Sequence, residues 1–198
     1  MSEVKLYLGD CLSLLKSMPD KSVDCILTDP PYDGELPVEL LKEVCPEGNI
    51  IVFCKPENQF KNLTVSEYLF WIKMPSTKNY LKHCGRFVEM ILVHRPPLAT
   101  FNMLHWSQMI GVYDDRLIHP TVHPYEKPVS LMERLIRIYT NPGDTILDPY
   151  MGSGTTGVAA VRLGRSFVGI EIETNHYLTA KERIENERGQ SADESKHD

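Results

Sequence analysis

Residues 144–172 read DTILDPYMGSGTTGVAAVRLGRSFVGIEI, and the order of their patterns indicates the fold. Apolar runs at the two ends, 144–150 and 166–172, predict buried strands, and the run 155–164 between them predicts a helix that ends at Gly164. A strand, a helix and a second strand in this order form a parallel β-α-β unit. The stretch therefore predicts a parallel sheet with helices packed on its faces.

The same alternation runs through the rest of the chain. Further strands are predicted at 4–8, 23–29, 49–54, 68–73 and 87–94. Further helices are predicted at 11–18, 35–45, 127–140 and 174–189. Together these patterns predict an α/β protein with seven strands in one domain, residues 1–188. The polar tail, residues 189–198, is expected to be disordered.

The composition is that of an ordinary soluble globular protein, with 198 residues, of which 42% are hydrophobic and 24% charged. No apolar run approaches the ~20 residues of a membrane span, and the chain does not begin with a signal peptide, so we expect a cytoplasmic protein. The five cysteines form no C-x-x-C pair. This spacing predicts reduced, mostly buried thiols and no metal site.

The charge is unevenly distributed along the chain. The net charge is −6, but residues 55–98 carry seven basic and three acidic side chains, a local charge of +4. A basic segment on an acidic body is compatible with nucleic-acid contact on one face, although a solvated helix and hairpin would also explain it. The candidate phosphate contacts are Lys73, Lys78, Lys82, Arg86 and Arg95.

The tetrapeptide Asp29-Pro30-Pro31-Tyr32 stands at the end of a predicted buried strand. Two prolines fix φ and remove two backbone donors, so the Pro30 carbonyl can point outward without a partner in the sheet. A carboxylate, a carbonyl and an aromatic ring in one rigid turn suit a flat amine, because the two oxygens can accept its two N–H groups while the ring stacks on it. We therefore expect these four residues to be catalytic, and an ordinary turn with an aspartate cap is the alternative.

A second strand end, residues 148–156, joins a predicted strand to the helix after it. Gly152 and Gly154 permit a tight turn and a close approach of a ligand to the backbone. The spacing is not that of a dinucleotide fingerprint, and no lysine follows as in a P-loop. Asp148 can receive an ammonium group, and Glu171, about 20 residues after the glycine turn, can accept the hydroxyls of a ribose. Together they describe a pocket for a nucleoside that carries an amino acid, which is the shape of S-adenosylmethionine.

These motifs, in this order, resemble those of the exocyclic-amine DNA methyltransferases in their circularly permuted beta arrangement, in which a catalytic D-P-P-Y motif precedes a cofactor F-x-G-x-G motif. Gly9-Asp10 resembles the motif whose acid meets the cofactor adenine, and residues 123–128, HPYEKP, resemble the family's H-P-x-x-K-P element. The resemblance implies a Rossmann-like class I methyltransferase fold, with a seven-stranded, mostly parallel sheet that contains one antiparallel strand. It implies these cofactor-binding residues: Asp10, Lys127, Asp148, Tyr150 (where phenylalanine is usual), Gly152, Ser153, Gly154, Thr155 and Glu171.

The function that the resemblance implies is methyl transfer from S-adenosylmethionine to the 6-amino group of an adenine in DNA. The target base is expected to leave the double helix and to stack on Tyr32. An acid at residue 29 favours adenine over the 4-amino group of cytosine, because serine at this position is typical of the cytosine enzymes. Two other interpretations stay open: methylation of RNA or of a protein amide, and a non-catalytic module that only binds DNA.

Residues 95–122 are the stretch available for target recognition, which is short because relatives place a sizeable insert before the H-P-x-x-K-P element. The short segment predicts a very short recognition site, a relaxed specificity, or a homodimer that completes the DNA groove. Trp106, Gln108 and Arg116 are the candidates for base contacts. A small solitary enzyme of this kind fits restriction–modification or the protection of a phage genome.

Overall fold

The computed structural model describes residues 2–31, 34–55, 60, 62–72, 88–104, 111–113 and 126–194. Within these residues the chain forms one eight-stranded sheet. Its strands are β1 (Val4–Leu8), β2 (Cys25–Thr28), β3 (Asn49–Cys54), β4 (Glu67–Ile72), β5 (Val88–His94), β6 (Val112–Tyr113), β7 (Thr145–Asp148) and β8 (Ser166–Glu171). The seven predicted strands are confirmed. The sequence did not predict β6, because two residues are too few to show an alternating pattern.

The strand order is β1-β8-β7-β2-β3-β5-β4-β6. Only β5 runs against its neighbours among the described strands: it is antiparallel to β3 and β4, and the other pairs are parallel. This topology confirms the predicted α/β fold with a mostly parallel sheet and one reversed strand.

Helices cover both faces of the sheet. They are α1 (Cys11–Leu15), α2 (Val38–Val44), α3 (Val129–Tyr139), α4 (Thr155–Arg162) and α5 (Thr174–Glu194). The helices α3, α4 and α5 share one buried cluster with Leu27 and Ile51, whereas α1 and α2 share the other with Ile26 and Ile50. Neighbouring strand residues enter different clusters because successive side chains point to opposite faces. None of the described helices has the length and apolar character needed to cross a membrane.

The cysteines that the structure describes are buried free thiols, as predicted: Cys11, Cys25, Cys45 and Cys54. Cys84 lies outside the described residues.

The predicted end of the last helix at Gly189 is wrong. The helix α5 continues to Glu194, and Gly189 is not among the glycines with a positive φ. A glycine inside a helix costs only about 1 kcal/mol relative to alanine, and no proline follows to stop the helix. Residues 190–194, which we expected in a disordered tail, are therefore helical, and residues 195–198 lie outside the described residues.

The topology gathers the predicted motifs at one edge of the sheet, called here the carboxyl edge. The strands β1, β8, β7 and β2 are parallel neighbours and end at this edge. The acids at or just after these ends are Asp10, Glu171, Asp148 and Asp29. Because β5 is reversed, it begins at the same edge, where its residue Met90 lies opposite Cys54 at the end of β3.

Candidate active site

The two main motifs meet where β2 and β7 end. These strands are parallel neighbours, and the Thr28 hydroxyl donates to Asp148 Oδ1 over 2.8 Å. Thr28 directly precedes Asp29, so this hydrogen bond connects the motif Asp29-Pro30-Pro31 to the start of residues 148–156, called here the glycine loop. The structure thus brings Asp29 and the glycine loop to one side of the sheet.

The carboxylate of Asp29 is bound by a buried lysine. Lys127 donates from Nζ to Asp29 Oδ2, and the same Nζ lies 3.2 Å from Glu89 Oε2 in β5 and 5.1 Å from the centre of the Phe53 ring. Lys127 is only 5% exposed, and a buried charge is tolerated when it is paired in this way. The resemblance implied a cofactor-binding role for Lys127, whereas the structure places its ammonium group against Asp29 and Glu89. The sequence patterns did not single out Glu89.

The two prolines shape the turn after β2. Pro30 is buried and Pro31 is exposed. The Pro31 carbonyl accepts the Gly34 N–H over 3.1 Å. Tyr32 lies outside the described residues, so its expected stacking on the target base stays a prediction.

Asp148 is a buried carboxylate with a dense set of donors. It is 3% exposed; Oδ1 accepts from the Thr28 hydroxyl and from the Tyr150 N–H (3.1 Å), and Oδ2 accepts from the Thr156 hydroxyl (2.7 Å). Burial raises the pKa of Asp148 to about 6, helped by the nearby charge of Asp29 and opposed by these hydrogen bonds. A cation that approached this carboxylate would favour its charged form.

The two glycines of the loop have different surroundings. Both have left-handed backbones, with φ of 51° at Gly152 and 84° at Gly154. A Cβ built on Gly154 would lie 2.8 Å from the Cβ of Ala180 in α5, whereas a Cβ on Gly152 would meet nothing within 4 Å. Gly154 therefore allows α4 and α5 to pack closely, and the backbone at Gly152 borders open space.

Glu171 fastens the same loop to the end of β8. It is 8% exposed, and its Oε2 accepts the Gly152 N–H over 2.9 Å while Oε1 accepts the Glu173 N–H over 2.8 Å. Each carboxylate oxygen has a second lone pair. The group can therefore hold the loop and still accept the hydroxyls of a ribose.

A cluster that the sequence analysis missed holds the next residues of the loop. Arg183 in α5 donates to the carbonyl and hydroxyl oxygens of Ser153 (2.8 and 3.0 Å) and to Glu126 Oε1 (2.5 Å). The Thr155 hydroxyl lies 3.5 Å from the same oxygen of Glu126. Glu126 directly precedes Lys127 in the chain. The side chain of Glu126 therefore lies against the glycine loop, while that of Lys127 contacts Asp29.

Asp10 and Tyr150 line the β1 end of the edge. Asp10 caps α1, since its Oδ2 accepts the N–H and the hydroxyl of Ser13 (2.8 and 2.7 Å), and these bonds lower the pKa of Asp10. Burial, together with a hydrogen bond to Cys11, raises the pKa of Tyr150, so its phenol stays neutral. The expected contacts of both residues with a cofactor stay predictions.

Arg95 lies away from this edge. It follows the end of β5, which is reversed, so it stands at the opposite edge of the sheet. Its Nε donates to Glu67 Oε1 over 2.8 Å, and its guanidinium carbon lies 4.5 Å from the centre of the Phe101 ring. This placement separates Arg95 from Asp29 and the glycine loop, and its phosphate contact stays a prediction. The other candidate DNA contacts lie outside the described residues: Lys73, Lys78, Lys82, Arg86, Trp106, Gln108 and Arg116.

The chemistry of the edge suits a ligand with a cation and hydroxyl groups. Asp148 and Glu171 are buried carboxylates beside the glycine loop, and they would repel a phosphate. In the part of the chain that the structure describes, no three histidine, cysteine or acidic side chains are grouped as a metal site.

A family model described as DNA methylase, of the N6/N4 type, matches residues 102–182. The solved structure of M1.HpyAVI in complex with SAM is 30% identical, with 91% of this chain and 99% of that chain covered and a TM-score of 0.71. The chain belongs to the N6/N4 DNA methylase family. This methylase is also similar to the DNA adenine methyltransferase YhdJ of Escherichia coli (strain K12), which is 28% identical over 94% of this chain and 84% of the relative.

The cytosine-N4-specific PvuII DNA methyltransferase shares the fold, with a TM-score of 0.74 over 96% of this chain and 93% of its own, at 16% identity.

Proposed function

We propose that this methylase transfers a methyl group from S-adenosylmethionine to the 6-amino group of an adenine that has left the DNA double helix. The observation that carries the proposal is the contact between the two motifs: Asp29, held by Lys127, directly follows Thr28, which is hydrogen-bonded to Asp148. The carboxylate expected to receive the target amine is therefore adjacent to the loop expected to receive the cofactor. A DNA substrate also agrees with the cytoplasmic location expected from the sequence.

The residues of the carboxyl edge fit S-adenosylmethionine. Asp148 can accept the ammonium group, Glu171 can accept the ribose hydroxyls, and the backbone at Gly152 borders open space. Asp10, with Tyr150 beside it, stands where the resemblance implies the adenine end. When bound, the cofactor supplies a methyl group on a positively charged sulfur, which is the electrophile of the reaction.

The chain itself contributes positioning and charge. Asp29 and the Pro30 carbonyl can each accept one N–H of the target amine, which makes its nitrogen more tetrahedral and turns the lone pair toward the methyl group. Lys127 fixes the carboxylate of Asp29. Transfer is then direct: the nitrogen–carbon bond would form as the carbon–sulfur bond breaks, S-adenosylhomocysteine would leave, and the methylated nitrogen would lose one proton, which the Asp29 carboxylate can accept. Preorganised electrostatics account for the acceleration without a covalent enzyme intermediate.

Adenine is the proposed base because of the acid at residue 29. The similarity to YhdJ, which is described as a DNA adenine methyltransferase, supports this choice. Cytosine is the second candidate, because the cytosine-N4-specific PvuII enzyme has the same fold. The order of the motifs along the chain supports the permuted beta arrangement.

The test is to incubate the purified protein with labelled S-adenosylmethionine and unmodified double-stranded DNA, and to identify the methylated nucleoside after digestion. RNA of the same sequence serves as a parallel substrate. We expect N6-methyladenine in DNA. Methylated cytosine would establish the second candidate, and DNA without any methylated base would overturn the proposal.

Asp29→Ala tests the catalytic group. We expect methyl transfer to fall by at least about 100- to 1,000-fold, because a preorganised acceptor is lost, while cofactor binding measured by calorimetry is largely retained. Lys127 keeps the carboxylate of Glu89 nearby, so the substitution should not leave a buried lysine without an ion-pair partner. Asp20→Ala, at an exposed aspartate before β2, is the matched control. Wild-type turnover by Asp29→Ala would remove Asp29 from the mechanism.

A further inference from the structure

We propose that Glu89 is a positioning residue for methyl transfer and acts on Asp29 through Lys127, an inference that rests on the proposed function. Glu89 belongs to β5 and lies near the end of that strand that meets the carboxyl edge. It is 8% exposed, and its Oε2 is 3.2 Å from Lys127 Nζ. None of the motifs in the sequence includes this residue.

The geometry gives Glu89 a way to act on Asp29. The three side chains come from separate parts of the fold: Asp29 follows β2, Glu89 is in β5, and Lys127 precedes α3. The lysine ammonium group contacts both carboxylates. A long lysine side chain has many rotamers, and a second partner restricts it to the one that meets Asp29. Glu89 thereby fixes the orientation of the Asp29 carboxylate.

The charges give Glu89 a second effect. Lys127 alone would balance the charge of Asp29, whereas Glu89 brings a second carboxylate to the same ammonium group. The target nitrogen gains positive charge as the new bond to the methyl carbon forms. A negative group beside that nitrogen stabilises the transition state, and burial strengthens the effect. The carboxylate of Glu89 thus offsets the positive charge of Lys127, which would otherwise balance the negative charge of Asp29.

Glu89→Gln is the direct test, because glutamine keeps the size and an oxygen near Lys127 but removes the charge. We expect kcat for DNA methylation to fall about 10- to 100-fold, as for a small misplacement of a reacting group. The Kd for S-adenosylmethionine, measured by calorimetry, should change by less than about twofold, since only an interaction of the transition state is lost.

Glu67→Gln is the matched control. Glu67 is a partly buried glutamate of β4 that pairs with Arg95 at the opposite edge of the sheet. Its substitution makes the same chemical change and should leave kcat unchanged, even where it lowers the melting temperature. An equal loss of kcat in both variants would show that any loosening of the sheet slows the enzyme, and this would overturn the proposal.

Two further variants establish the route through Lys127. In a Lys127→Met background, adding Glu89→Gln should lower kcat by a smaller factor than it does in the unsubstituted protein, because the positioning effect is already absent and only the effect of the charge remains. Glu89→Asp keeps the charge and should retain more activity than Glu89→Gln. The inference would be overturned if Glu89→Gln lowered kcat by the same factor in the Lys127→Met background as in the unsubstituted protein. Equal losses of kcat in Glu89→Asp and Glu89→Gln would also overturn it.

The unsubstituted protein separates this inference from the proposed function. If it methylates DNA and folded Glu89→Gln does so at the same kcat, only the role of Glu89 is overturned. If the unsubstituted protein methylates no DNA, the proposed function is overturned and this inference with it.

Discussion

At the scale of single residues, Asp148 links the protonation of the site to the stability of the protein. Burial raises its pKa from 3.8 to about 6. Between these two pH values the folded protein therefore still holds a proton that the unfolded chain has already lost. The stability from this residue is therefore fully present below about pH 4 and is lost as the pH rises through 6, a loss of about 3 kcal/mol. We expect the free energy of unfolding of Asp148→Asn to lack this fall with rising pH. Urea unfolding of the wild type and the variant at about pH 4 and pH 7 measures the difference.

Asp10→Asn is the control for this prediction, because its effect has the opposite sign. The hydrogen bonds from Ser13 lower the pKa of Asp10, so its contribution to stability is present above the unfolded pKa and is lost as the pH falls. Asp10→Asn should therefore cost more stability at pH 7 than at about pH 3, and it should keep the wild-type loss between pH 4 and pH 7 because Asp148 is unchanged. If wild type and Asp148→Asn showed the same dependence on pH, Asp148 would not be perturbed as described.

At the scale of secondary-structure elements, the contact between α4 and α5 depends on Gly154. Its φ is 84°, and a Cβ would lie 2.8 Å from Ala180. We expect Gly154→Ala to lower the free energy of unfolding by about 2–4 kcal/mol, because backbone strain and overpacking act together. Gly164→Ala is the matched control, since φ is 74° but nothing lies within 4 Å of the Cβ, and it should cost about 1–2 kcal/mol. Equal losses in urea unfolding would contradict the packing argument.

The elements themselves could be predicted where the sequence pattern is long and local. The buried strands and the helices between them produce apolar runs that can be recognised without a structure. The two-residue strand β6 produces no such run, and Gly189 shows the opposite failure, because a single glycine weakens a helix without ending it. The boundaries of short or polar elements depend on contacts that the local sequence does not contain.

At the scale of the whole molecule, the topology explains which site residues could be predicted. Asp29, Asp148 and Glu171 stand at or just after strands that end at the carboxyl edge, so their positions along the chain identify them. Glu89 reaches the same edge only because β5 is reversed, and Arg183 reaches the loop from the middle of α5. Neither residue belongs to a recognisable motif, and both require the folded arrangement to be found.

The charge of the whole molecule leads to a prediction about DNA binding. The net charge is −6, so the protein needs local basic groups to bind DNA. The chain leaves β4 at Ile72 and enters β5 at Val88, and both residues lie at the carboxyl edge, beside the site. Four of the candidate phosphate contacts occur between them in the sequence: Lys73, Lys78, Lys82 and Arg86.

If these four side chains each neutralise one phosphate, the logarithm of DNA affinity should fall with the logarithm of salt concentration with a slope of about −3 to −4. Changing all four to glutamine should flatten the slope and weaken binding to every DNA sequence, while the Kd for S-adenosylmethionine stays constant. Fluorescence anisotropy with labelled DNA at several salt concentrations measures both slopes. The control changes four exposed basic residues elsewhere to glutamine: Lys5, Lys21, Lys181 and Arg188. Because both variants lose the same charge, equal flattening would mean that net charge governs DNA binding, and flattening in the first variant alone would locate the DNA contact beside the carboxyl edge.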